Sequence, residues 1–182
     1  TRVFRSKTVD GDYEDASGIS GNDAVNKGLK LFDNYKFASN EQGYLSGGHS
    51  SSLVDKDGKL FHIYHTRFND GVGSGHQVRV HQMFTSQNGW LVMMPYEYNG
   101  ETISKTGYSG AEIVGTYSFI NHGNTTVTAP NMESANSIIK KPVTISLNGD
   151  RTISGAVSGT WSASLGENPY VTMVIDGVTY EG

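Results

Sequence analysis

Between Ser51 and Met94 the sequence runs through four short strand patterns, one directly after another. Ser51–Val54 leads into Asp55-Lys56-Asp57-Gly58, where Asp-Gly suits a hairpin because glycine accepts the positive φ such turns need. Leu60–Arg67 is rich in aromatic and branched residues. A Gly-rich loop, Asp70–Gly75, separates it from Gln77–Thr85, where Val78, Val80 and Gln82 alternate with Arg79, His81 and Met83. Gln87-Asn88-Gly89 then turns the chain into Trp90–Met94. Four consecutive strands of this length make a unit the size of one propeller blade, or half of a sandwich; periodicity alone does not separate the two.

The flanks are built differently. Before Ser50 the strand signal is thin, with short strands expected at Val3–Ser6 and Leu29–Phe37 and a turn over Asp10–Asp15, as in part of a second blade. The polar stretch Gly100–Gly110 marks a domain boundary, giving units of 1–100 and 101–182. Beyond it, strands are expected at Ile113–Ile120, Thr125–Ala129, Val143–Leu147, Thr152–Val157, Gly159–Ala163, Tyr170–Ile175 and Val178–Glu181, with hairpin turns at Asn148-Gly149-Asp150 and Asp176-Gly177. So many short antiparallel strands suggest a small barrel or sandwich, in which closure removes exposed edges. The best amphipathic helix candidate, Asn131–Ile139, is short and weakly patterned.

Composition agrees with an all-β chain and excludes several functions. Glycine, at 23 of 182 residues, is nearly twice its usual share of about 7%. With no cysteine, there is no disulfide framework, thiolate metal site or thiol nucleophile. A net charge of −4 argues against a nucleic-acid binder, which needs a clustered basic surface. No apolar run approaches the ~20 residues that span a bilayer, and no signal-peptide pattern opens the chain.

Chemistry has few candidates. In His62-Ile63-Tyr64-His65 the two imidazoles are three apart, so on a strand they face opposite sides and cannot share an ion without a bulge. His76 and His81 fail the same test, and His122 in Asn121-His122-Gly123 reads as a turn residue. His49 stands out, because Gly47-Gly48 before it allows close backbone approach and Ser50-Ser51-Ser52 after it offers hydroxyls instead of bulk. It is either a turn histidine bonded to a carbonyl or a residue facing a central channel. Asp10, Asp12, Glu14, Asp15, Asp55, Asp57, Asp70, Asp150 and Asp176 fall in turns or polar loops, without the apolar setting that would make one a general acid. No Gly-x-Ser-x-Gly elbow precedes a helix, and Gly71-Val72-Gly73-Ser74-Gly75 opens a strand, unlike a phosphate loop.

A family resemblance extends this reading. Arg2–Ser6, Asp10-Gly11-Asp12-Tyr13-Glu14-Asp15, Gly48-His49-Ser50-Ser51, Tyr64-His65-Thr66-Arg67-Phe68, His76–Phe84 and Gly89-Trp90 closely resemble the last part of extracellular endo-α-1,5-arabinanases of glycoside hydrolase family 43. These are five-bladed β-propeller enzymes. The family usually has proline where this chain has Asp12. From about Gly107, through Gly115-Thr116-Tyr117 to Gly155–Trp161, the chain resembles the accessory β-barrel that follows the propeller in longer members.

The resemblance implies the C-terminal blades of a five-bladed propeller followed by a small antiparallel β-barrel or sandwich domain, from a secreted enzyme. The implied reaction is inverting hydrolysis of internal α-1,5-L-arabinofuranosyl bonds of arabinan. Its general base, pKa-modulating aspartate and general acid belong to earlier blades, so no catalytic residue is expected in this chain, which alone should be inactive. The implied partners are arabinan or arabino-oligosaccharides and N-terminal propeller blades, from the same precursor or another chain. His49 matches the family histidine that contacts a hydrated metal ion at the propeller axis, assigned as calcium. Arg67 lies where related propeller hydrolases place an arginine that touches sugar hydroxyls, or is a surface or inter-strand arginine, and Tyr44 is either a sugar-stacking face or a core aromatic. The alternative is a non-catalytic carbohydrate-binding or structural accessory module.

Overall fold

The computed structural model describes residues 1–23, 26–68, 75–125, 137–166 and 169–181. Nearly all regular structure is β. A short ladder pairs β1 (Arg2–Val3) with β2 (Leu29–Lys30), and a 3-10 turn covers Gly21–Asp23. The central meander is β3 (Tyr44–Val54), β4 (Leu60–Phe68), β5 (Gln77–Thr85) and β6 (Leu91–Met93), in that spatial order. After a one-turn helix α1 (Gly110–Ile113) come β7 (Gly115–Phe119), β8 (Val143–Leu147), β9 (Thr152–Gly155), β10 (Gly159–Ala163), β11 (Val171–Ile175) and β12 (Val178–Glu181). These six form one antiparallel sheet in chain order. The strand expected at Thr125–Ala129, the loop Asp70–Gly75 and the amphipathic stretch Asn131–Ile139 lie wholly or largely outside the described residues.

Two compact units result, Thr1–Phe84 with Met93–Glu97 and Asn121–Lys141, and Thr85–Val92 with Tyr98–Ile120 and Pro142–Gly182. Asn121–Lys141 follows the polar Gly100–Gly110 stretch in sequence but groups with the first unit. There Lys140 bridges Tyr35 in parallel, donating its N–H to Asn34 O and accepting from Lys36 N–H.

In the first unit the even-numbered face of β4 is buried. His62, Tyr64, Thr66 and Phe68 pack with Tyr44, His81 and Met83, and with Phe32 and Tyr35 from the segment after β2. Strand alternation places Phe61, Ile63, His65 and Arg67 on the opposite face. That face is open only in part: Phe61 and its partner Gln82 are buried, while the register neighbours Leu53 and Val78 are 49% and 66% exposed.

The six-stranded sheet curls over Ile113, Ile145, Leu147, Ile153, Trp161 and Ile175. No backbone ladder among the described residues joins β7 to β12, yet Phe119 and Tyr180, on those two end strands, meet edge-to-face with centroids 5.6 Å apart. Side chains therefore close the curl where hydrogen bonds do not. α1 was not expected from periodicity, being too short to show any. Its signal is local: Ser109 and Glu112 form a capping box, with both reciprocal hydrogen bonds present.

Candidate functional site

The Tyr44–Val54 strand is not regular. Sequence reading starts a strand at Ser51, but β3 begins at Tyr44 and passes straight through Gly47-Gly48. Its register with β4 slips twice, between Leu45 and Gly48 and between Gly48 and Ser51. Ser46 and His49 take left-handed φ values of 52° and 47°. Such conformations cost roughly 1–3 kcal/mol each for non-glycine residues and persist only where the surroundings enforce them. Here the supports are visible. Ser46 N–H donates to Oδ1 of buried Asn34 at 2.8 Å, and the Thr66 hydroxyl, fully buried, donates to Leu45 O at 2.8 Å. A Cβ at Gly47 would overlap the Phe32 ring, so the close approach suggested by the paired glycines is real.

These bulges aim His49 at its neighbours on the open face. Gly48 pairs with His65, and His49 Nδ1 lies 3.3 Å from His65 Nε2. The His65 ring in turn packs on His76, centroids 4.4 Å apart, and Arg67 Nε–H donates to His76 Nε2 at 2.9 Å. Three imidazoles and a guanidinium thus line up across three chain segments. The within-strand parity argument holds for His62 and His65, which do face opposite ways, but it missed this cluster because a ladder juxtaposes residues of different strands. Desolvation, and then His76, His49 and Arg67, push the His65 pKa down.

The other histidines are structural. His81, 0% exposed, donates Nδ1–H to Met94 O at 2.8 Å and accepts from the Tyr64 hydroxyl at Nε2. His62 is buried, and that burial drives its pKa down to about 4. His122 is more than a turn residue: its Nδ1 accepts the Asp33 N–H at 3.2 Å, and burial lowers its pKa to about 4. Tyr44 is a core aromatic, stacked on Tyr35 and donating its hydroxyl to Glu97 at 2.7 Å.

Asp15 corrects the sequence reading, which put it in a solvated turn. It is buried, and its carboxylate accepts N–H bonds from Ser17, Ile19 and Gly28. Those bonds overcome desolvation and lower its pKa. Glu112 and Asp150 are lowered by hydrogen bonds from Ser109 and Thr152. All three sit opposite to the raised pKa of a general acid. Among the described residues, no group of three or more His, Cys, Asp or Glu is arranged to hold a metal. Around His49 the described residues offer one exposed imidazole with His65 Nε2 at 3.3 Å, and no cage of oxygen ligands such as calcium takes.

Residues 95–182 match the family model GH43_C, described as a C-terminal lipocalin-like domain. Along the full chain, an extracellular endo-α-(1→5)-L-arabinanase of Thermotoga petrophila is 41% identical, and extracellular endo-α-(1→5)-L-arabinanase 2 of Bacillus subtilis is 37% identical. The chain is thus similar along its whole length to these endo-arabinanases, and over residues 95–182 to the GH43_C family. It spans 39% of the length of each of these two relatives. Solved structures agree: a family 43 glycoside hydrolase from Bacillus licheniformis superposes with TM-score 0.83 at 36% identity, and the T. petrophila endo-1,5-α-L-arabinanase with 0.82 at 40%. Both cover the whole chain and 41% of the solved chain. The family 43 reading fits what the fold shows, an all-β chain with a four-stranded meander and a curled C-terminal sheet. No helix among the described residues is long and apolar enough to cross a membrane.

Proposed function

We propose that this chain is the C-terminal part of an extracellular endo-arabinanase and completes the active site of that enzyme without supplying its acid or base. The observation that carries the reading is the similarity to two extracellular endo-α-(1→5)-L-arabinanases along the full length of this chain, at 39% of their length. The reaction is inverting hydrolysis of internal α-1,5-L-arabinofuranosyl bonds. One carboxylate activates water and one carboxylic acid protonates the leaving oxygen, both from polypeptide outside this chain. The lowered pKa values of Asp15, Glu112 and Asp150 support that division of labour.

In this reading β3–β6 is a blade of a five-bladed propeller, and its open face, with Leu53 and Val78 exposed, receives an upstream blade. His49 holds a hydrated cation at the axis, calcium in the family, which would supply positive potential near the catalytic carboxyls and tune their ionisation. Arg67, its Nε engaged by His76, presents the rest of its guanidinium to sugar hydroxyls.

The test is direct. The purified 182-residue chain should release no arabino-oligosaccharides from linear arabinan, and adding a polypeptide with the upstream blades should restore release. Hydrolysis by the chain alone, or no activity from a verified complex with those blades, overturns the reading. In that complex, Arg67→Ala should raise KM for arabino-oligosaccharides with little change in bound metal.

A further inference from the structure

We infer that His76 is a positioning residue: its imidazole accepts the Nε–H of Arg67 and so orders the guanidinium whose Nη1 and Nη2 groups meet sugar hydroxyls. This rests on the proposed contact of Arg67 with substrate and deepens it. A guanidinium carries five N–H donors and no acceptor, and it stays charged in proteins. The proton in the 2.9 Å bond between Arg67 Nε and His76 Nε2 therefore belongs to the arginine, and the receiving nitrogen is bare. The direction of this bond follows from arginine chemistry alone.

The sheet builds this pair. Thr66 is the partner of Gln77 in the β4–β5 register, and one step further along the antiparallel ladder brings Arg67 opposite His76. The backbone of Arg67 is held as well, because the fully buried Thr66 hydroxyl is shared between Leu45 O at 2.8 Å and Arg67 O at 3.1 Å. The His65 ring packs on His76 with centroids 4.4 Å apart and backs its imidazole. His76 is exposed and Arg67 half-buried, so no orphaned interior group demands this bond. A hydrogen bond open to water adds little to stability, which leaves orientation as its contribution.

Among the described residues Nη1 and Nη2 of Arg67 make no hydrogen bond, so Nε is the edge the protein uses and the Nη pair is the edge it leaves. A long, rotamer-rich side chain loses freedom when a ligand captures it, and one already ordered by a neighbour has less to lose. The test uses the assembled enzyme, this chain with the upstream blades, acting on arabino-oligosaccharides. His76→Ala should raise KM about 2–10-fold with kcat unchanged, the saving that ordering one such side chain in advance provides. His76→Gln, whose Oε1 can accept the same N–H, should return KM close to the wild-type value and guards against a folding artefact. Combined with Arg67→Ala, His76→Ala should add nothing, because it acts only through the guanidinium.

An unchanged KM in His76→Ala, a His76→Gln enzyme no better than His76→Ala, or effects of the two alanine substitutions that multiply in the double variant each overturns the inference. Failure of the underlying reading looks different: Arg67→Ala would itself leave KM unchanged.

Discussion

The two units bury opposite kinds of interior. The first encloses polar groups, among them Asp15, Asn34, His62, Thr66, His81 and Gln82, set among tyrosines and phenylalanines. The core of the six-stranded sheet is Ile113, Ile145, Leu147, Ile153, Trp161 and Ile175. An aliphatic core tolerates small shifts because dispersion and burial are non-directional, whereas a buried polar group is costly unless its partner stays in place. In the first unit Asn34 and Thr66 fix the Ser46 N–H and the Leu45 carbonyl, and so hold the bulged strand that presents His49. The second has no such demand, and its interior is that of a scaffold.

The largest effect that could sharpen this contrast is Trp161→Ala. Trp161 is 3% exposed, carries the Arg151 guanidinium 4.3 Å above its ring and donates Nε1–H to Asn148 O at 2.9 Å. Its loss should cost about 3–5 kcal/mol in urea unfolding followed by circular dichroism. A cost under about 1 kcal/mol would break the claim that this ring centres the second core.

Acid should expose the polar interior of the first unit. His62 has its pKa lowered from 6.5 to about 4, so it stays neutral when folded and takes up a proton on unfolding below its ordinary value. Stability is thus full above about pH 6.5 and falls as pH drops toward 4, by up to about 3 kcal/mol. His62 Nε2 has no hydrogen-bond partner among the described residues, so His62→Leu should cost little at neutral pH and flatten this loss. An unchanged pH profile in that variant would show that another group carries the acid sensitivity.

Gly47→Ala should cost about 1–3 kcal/mol, since the new methyl enters the Phe32 and Tyr64 rings. The NMR shifts of His49 and His65 should move with it, while those of the β7–β12 sheet stay put. The smallest expected effect is at the helix cap: Ser109→Ala should cost about 1 kcal/mol, measured by the same denaturation, without touching the histidine cluster.

How much of this could be read in advance varied with the range of the signal. The hairpins at Asp57-Gly58 and Asp176-Gly177 were legible because turn chemistry is local, and β5 and β12 keep their expected bounds. Asp15 was not legible, because its burial depends on N–H groups as far along as Gly28. The histidine cluster was hidden for the same reason. His49, His65 and His76 come from different segments, and their meeting depends on two register slips that no alternation pattern encodes. The glycines before His49 were the available hint, and they lie where the register of β3 slips.

By itself the sequence determined the all-β character, the strand-turn rhythm and the isolation of His49 among small residues, since turn propensity and alternation act over a few positions. Its full length is similar to extracellular endo-α-(1→5)-L-arabinanases, over 39% of their own length. Only the tertiary structure decided that β3 runs through the paired glycines, that His65 stands behind His49, and that Arg67 and His76 stand behind His65. Those facts depend on cross-strand register, which is set by the packing of Phe32, Tyr64 and Thr66 under the bulge and is therefore a property of the folded sheet.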